Sequence, residues 1–158
     1  MKNLKIILSI TLTSFFFSAL KSQQPVNFDG AKTAVFVEGL GNGITFTFNY
    51  DTRVKDRLGI RAGIGYIGNV SGDGGITAIP LMANYLLGSE GNYFDIGLGA
   101  TVLTGDILDS NILMTFSFMY RKQPPGGGFM WKAGFAPFFA EGVFIPYFPG
   151  VSLGYSFQ

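Results

Sequence analysis

The sequence contains no cysteine and no histidine. The first absence excludes disulfide stapling and thiol chemistry. The second removes the commonest general base, the commonest metal ligand and the ordinary pH switch at once. Charge is sparse as well, with 11 basic and 10 acidic residues among 158, and that balance gives no support to a nucleic-acid role. After the first 22 residues no stretch is long and apolar enough for a membrane helix, which needs about 20 such residues. Catalytic equipment and a helical anchor are therefore both missing from the remainder.

What is abundant is glycine, at 23 residues, and phenylalanine with tyrosine, at 17 and 7. Hydrophobicity delivered in short alternating pieces, rather than in long runs, is a barrel signature. The N-terminus reads as a secretory signal: Lys2 and Lys5 make a short basic region, and Ile6 to Leu20 is mostly apolar with Ser and Thr mixed in. Cleavage is expected after Ser22, leaving 136 residues. Eight basic and ten acidic residues then remain, a net charge of −2. Residues 23–31 lack periodicity and read as a short periplasmic lead to one barrel domain over 32–158.

The pattern predicts eight strands, at about 32–39, 43–53, 58–68, 76–88, 92–103, 111–122, 129–139 and 147–157. Such lengths suit a tilted transmembrane strand of roughly 9–11 residues. In the second, Ile44, Phe46, Phe48 and Tyr50 alternate with Thr45, Thr47, Asn49 and Asp51. The sixth sets Ile112, Met114, Phe116, Phe118 and Tyr120 against Leu113, Thr115, Ser117, Met119 and Arg121. The third and fifth follow suit, Ile60, Ala62, Ile64 and Tyr66 opposing Arg61, Gly63 and Gly65, and Phe94, Ile96 and Leu98 opposing Asp95, Gly97 and Gly99. A slip of one residue would turn each apolar set inward, so register is well specified. Glycines 63, 65, 97, 99, 134 and 154 fall on the small-residue side, where an eight-stranded barrel has little room.

An even strand number places both termini on one side, expected to be the periplasm. Connections near 53–57, 89–91 and 123–128 then share that side, and those near 40–42, 69–75, 104–110 and 140–146 face outward. Glu38, Asp73, Asp106, Asp109 and Glu141 lie on or beside the outer set. Lys32, Arg53, Lys55, Arg57, Arg121 and Lys122 lie beside the periplasmic set, with the acids Asp29, Asp51, Asp56 and Glu90. Tyr50, Tyr85, Tyr93, Tyr120, Trp131 and Tyr155 fall near periplasmic strand ends, as an interfacial girdle would. Pro80 interrupts the fourth strand and calls for a bulge, because a closed barrel has no free edge to hide a missing donor. Three prolines within 137–149 weaken the definition of the last two strands.

The signal, the eight alternating strands and the ending Val151-Ser-Leu153-Gly-Tyr155-Ser-Phe157 together resemble small bacterial outer-membrane β-barrels of the OmpA/OmpX type. Segments 57–66, 80–85 and 150–157 look like small barrels of Bacteroidota-type bacteria. The resemblance implies that Val151, Leu153, Tyr155 and Phe157 act as an assembly signal for the barrel-assembly machinery, with Gln158 following the terminal aromatic. It implies outer-membrane lipid and lipopolysaccharide as surroundings, and it brings no catalytic residues and no cofactor.

Arg61, Asp95 and Lys132 fall on inward positions, near Asn84 and Thr101. Buried charges must pair, so Arg61 and Lys132 are expected to neutralise Asp95 and block the bore. A polar constriction in a narrow, porin-like pore for small solutes or ions is the alternative. Gly63-Ile-Gly65-Tyr-Ile-Gly68 spells a dinucleotide fingerprint, but no helix follows to receive a pyrophosphate. Asp106, Asp109 and Asn111 offer oxygen ligands for a divalent cation without the dense spacing of a dedicated loop, and no metal site is assigned. The expectation is a non-enzymatic, structural or surface-adhesive barrel. Three alternatives stand beside it: a narrow pore, a lipid-modifying enzyme, and a soluble exported barrel holding an apolar ligand.

Overall fold

The computed structural model describes residues 28, 30–68, 74–105, 108–140 and 142–158, apart from the side chains of 108–110. The expected signal peptide and its cleavage site lie outside these residues, as do Asp29, Asp73, Asp106, Glu141 and the nominal sequon at Asn69. Among the described residues ten strands are formed: β1 (Thr33–Leu40), β2 (Thr47–Lys55), β3 (Leu58–Gly68), β4 (Gly75–Ser89), β5 (Asn92–Gly105), β6 (Leu108–Lys122), β7 (Gly128–Phe135), β8 (Phe138–Ala140), β9 (Val143–Ile145) and β10 (Pro149–Phe157).

All pairings are antiparallel, and β10 returns to pair with β1 along its whole length, from Thr33↔Phe157 to Leu40↔Gly150. β8 continues the line of β7 along β6, and β9 leads into β10, so the ring has eight staves. The chain is an all-β, eight-stranded antiparallel barrel, as the alternation predicts. Closure matters physically, because it leaves the wall without a long unpaired edge.

Prolines account for the breaks in the last two staves. Pro137 sits in the gap between β7 and β8, Pro146 follows β9, and Pro149 opens β10. A residue without an N–H cannot donate to a ladder, and so it weakens pairing where it falls. Bridging bonds keep the staves joined: Phe116 N–H donates to Pro137 O at 2.8 Å, and Ala136 N–H donates to Phe148 O at 2.7 Å.

Two expectations are corrected. Pro80 requires no bulge: the β3–β4 ladder resumes in the same register, with Ala62↔Leu81 on one side and Gly65↔Ala78 on the other. Pairing lapses for two residues opposite Gly63 and Ile64 and then continues. The second strand begins at Thr47 rather than at residue 43. Gly41–Gly43 instead form a single 3-10 turn that is buried inside the far mouth of the barrel. An alternation of Ile44, Thr45 and Phe46 imitates a strand there, but Ile44 takes φ 66°, which a strand residue does not adopt.

The outer face follows the expected phase. Phe46, Phe48 and Tyr50 are exposed on β2 and its approach, and Ile112, Met114, Phe118 and Tyr120 on β6. Because the chain has no cysteine, register can be read by engineered cross-linking. The pair Val37→Cys with Leu153→Cys faces directly across the β1–β10 seam, so oxidation should close a disulfide in the folded protein. Val37→Cys with Tyr155→Cys, two residues out of register, should remain reduced under the same oxidant.

Candidate functional site

The lumen concentrates the chemistry. Inward positions of β2 carry Thr47, Asn49, Asp51 and Arg53, and those of β6 carry Thr115, Ser117 and Arg121. Glu38 comes from β1, Arg61 from β3, Asn84 from β4, Asp95 and Thr101 from β5, and Lys132 from β7. Three carboxylates and four cations are thus buried together, and charge is tolerable inside only when paired and hydrogen-bonded.

Pairing is organised in two clusters. Toward the far end, Arg61 Nη2 meets Glu38 Oε1 at 2.5 Å, while its Nη1 donates to Asn42 Oδ1 at 3.1 Å and its Nε to Asn49 Oδ1 at 2.9 Å. Ser152 Oγ completes the Glu38 carboxylate at 3.2 Å. Toward the end that holds the termini, Arg121 Nη1 bridges Asp51 Oδ2 at 3.1 Å and Asp95 Oδ2 at 3.2 Å. Asp51 also pairs with Arg53 and accepts from Asn84 Nδ2 at 2.6 Å. Lys132 Nζ lies 3.6 Å from Asp95. Between the clusters stands Phe36, whose ring centroid is 4.2 Å from Lys132 Nζ and 5.1 Å from Arg61 Cζ. An aromatic face offers each cation an attractive surface and keeps two like charges apart.

Both mouths are occupied. At the far end the Gly41–Gly43 turn drops into the bore, and all four polar groups of Asn42 are engaged. Its N–H donates to Glu38 Oε1 at 3.0 Å, and its C=O accepts from Thr101 Oγ1 at 2.6 Å. Its Nδ2 donates to Thr115 Oγ1 and Phe116 O, both at 2.7 Å, and its Oδ1 accepts from Arg61. The turn is flanked by Leu40 at φ 60° and Ile44 at φ 66°, conformations that cost about 1–3 kcal/mol each and persist only when the surroundings impose them. At the termini end Gln123 Nε2 donates to Ala31 O at 2.6 Å, and the Phe28 and Tyr93 rings meet at 5.6 Å. The last residues of the expected lead are therefore part of this closure.

Arg61, Asp95 and Lys132 all point inward and are buried, as are Asn84 and Thr101. The expected pairing is corrected in one respect: Lys132 faces Asp95, but Arg61 pairs with Glu38 instead. Glu38, expected beside the connection at 40–42, does lie against that turn but is buried in the lumen beneath it. Asp51 and Arg121, which the alternation sets on the inward side, are buried in the bore, and Arg53, expected beside a periplasmic strand end, is buried with them. Parity could have found Arg53, which shares the phase of Asn49 and Asp51.

Of the expected aromatic ring, Tyr50, Tyr85, Tyr120 and Tyr155 are exposed and Trp131 is half-buried against Tyr120, with centroids 5.3 Å apart. Tyr93 departs from it: in phase with Asp95, it turns inward and is 3% exposed. Val151, Leu153, Tyr155 and Phe157 all project from the outer face of β10, while Ser152 and Ser156 face in. Among the described residues, no group of three or more His, Cys, Asp or Glu side chains is placed to hold a metal ion.

No protein-family model, curated protein or solved structure matches this chain. Geometry alone therefore bears the functional reading. What the lumen does chemically is lock: its ion pairs join strands up to 70 residues apart in sequence.

Removing one partner of a buried pair strands the other, which costs about 3–5 kcal/mol. Arg61→Met should lower unfolding stability by that amount, read from urea titration. Adding Glu38→Gln to that variant should recover a substantial part, because the stranded carboxylate is then gone.

Proposed function

We propose that this chain is an integral outer-membrane barrel with a packed polar lumen and a structural or surface-adhesive role without catalysis. The observation that carries the reading is its inverted polarity. Among the described residues, seventeen polar or charged residues are buried against twelve apolar ones, while thirty large apolar side chains are exposed. Soluble monomers rarely expose contiguous apolar patches beyond a few hundred Å². A bilayer reverses the preference, and a closed barrel satisfies every backbone polar group that lipid cannot.

The ends of the barrel support an orientation. Exposed Lys32 and Lys55, with Lys122 half-buried, lie at the termini end, the side assigned to the periplasm. Tyr85, Tyr120, Trp131 and Tyr155 fall near the same end, and Tyr66 and Tyr147 are exposed toward the other. Aromatic side chains at both ends suit the two lipid–water interfaces. On this reading the N-terminal segment is the export signal, the outer face of β10 is what the barrel-assembly machinery engages, and lipopolysaccharide surrounds the far end.

Ion pairs across the bore and closures at both mouths favour the structural role over conduction. An apolar-ligand carrier would need the reverse arrangement, with apolar side chains lining the interior. The lipid-modifying alternative has no histidine to serve as its base.

Full-length protein should sediment with outer membranes and run faster on a detergent gel before boiling than after. Release into the periplasmic fraction with a single mobility would overturn the membrane reading. Leu98→Arg, on the outer face of β5, should destabilise the barrel in lipid by about 2–4 kcal/mol if its position is near the bilayer centre. Discrete single-channel conductance of the unaltered protein at high salt would favour the pore.

A further inference from the structure

At the termini end, beside the incoming lead and the β2–β3 turn, the surface is hollowed into a half-open cavity of about 120 Å³. Its walls are Phe28, Lys32, Arg53, Val54, Lys55 and Asp56. Three cations thus face one carboxylate. The Lys32 and Lys55 side chains are exposed and make no ion pair or hydrogen bond among the described residues.

The third cation differs in kind. Arg53 has a side chain only 2% exposed and is held in place by Asp51, by Asn84 Oδ1 at 3.0 Å and by Arg57 O at 3.3 Å. Its Nε–H is buried and meets no acceptor among the described residues. Outward from the cavity, Val54, Leu58 and Ile60 are exposed and begin the apolar belt. The arrangement is a cationic hollow directly at the edge of a lipid-facing wall.

We propose that this cavity binds a phosphate group. Its oxygens would accept from the Lys32 and Lys55 ammonium groups at the rim, in charge-assisted bonds stronger than neutral ones, with the Arg53 guanidinium adding positive charge from the wall behind. Lysine serves phosphate as a compact point charge, so flexible rim positions are suitable. Two sources supply that chemistry: the headgroup of an anionic phospholipid in the leaflet at the termini end, with its acyl chains along Val54 and Leu58, or free phosphate. The lipid source rests on the membrane reading above; the phosphate site itself does not.

The test uses the full chain folded in a neutral detergent and native mass spectrometry of retained ligand. Probes are phosphatidylglycerol, diacylglycerol of the same chain length, and inorganic phosphate. Retention of phosphatidylglycerol but not diacylglycerol, weakened at least about tenfold in the K32A/K55A double variant and kept in K32R/K55R, is the expected result. Inorganic phosphate bound as tightly as the lipid, with the same dependence on the two lysines, would uphold the cavity and identify free phosphate as the source. Such binding by a protein that needs no detergent would uphold the cavity while the membrane reading fails. Equal retention by the alanine variant, with its heat-dependent gel mobility intact, or no retention by the unaltered protein, overturns the proposal.

Discussion

The structure depends on the chain of ion pairs that runs Arg53–Asp51–Arg121–Asp95–Lys132 across the bore. Taking charges out of water costs several kcal/mol per ion, and only mutual pairing with further hydrogen bonds offsets it. Only the Arg53–Asp51 pair lies within one strand; Asp51 of β2 also needs Arg121 of β6, and Asp95 of β5 needs Lys132 of β7. Satisfaction is available only when the sheet has closed with every strand in register. The network therefore specifies one closed barrel more than it adds raw stability.

Everything else makes room for that network or seals it. Gly63 lies where a Cβ would collide with Asn49, the residue that orients Arg61, and Gly154 where one would collide with Phe36 between the two clusters. Phe36 is the one large apolar ring in the midst of the charges, and it separates Arg61 from Lys132. At the far mouth the Gly41–Gly43 turn brings Asn42 down onto Glu38 and Arg61, with strained backbone at Leu40 and Ile44 imposed by those bonds. A Cβ on Gly41 would lie 2.6 Å from Glu38 Cδ, so this turn could not be tucked in with a larger residue.

Most of the wall was legible because a period of two is a strong signal when one face is apolar and the other polar. Asp95, Arg61 and Lys132 were placed inward by that phase alone. The partners were harder. Pairing across a barrel depends on stagger between strands, which alternation does not encode, and so Arg61 was matched with Asp95 when Glu38 was its neighbour. Position near a strand end outweighed phase for Arg53 and Tyr93, and the structure shows phase to be the better guide for both. The buried turn left no periodic trace, since Ile44-Thr45-Phe46 continues the β2 alternation in sequence while leaving it in space. Prolines were read correctly as trouble, but their effects differed: Pro137 and Pro146 break staves, and Pro80 is absorbed beside Gly63 without a change of register.

The central claim is that polarity alternates residue by residue through the wall, with charge inside and, as proposed, lipid outside. Nitroxide labels placed singly along 113–120 of β6, in protein reconstituted into vesicles, measure this directly through collision with lipid-soluble oxygen and a water-soluble nickel chelate. The account predicts high oxygen accessibility at 114, 118 and 120, low accessibility to both reagents at 113, 115, 117 and 119, and a period of two along the strand. Loss of that period, or nickel accessibility equal to that of oxygen at 114 and 118, would contradict it.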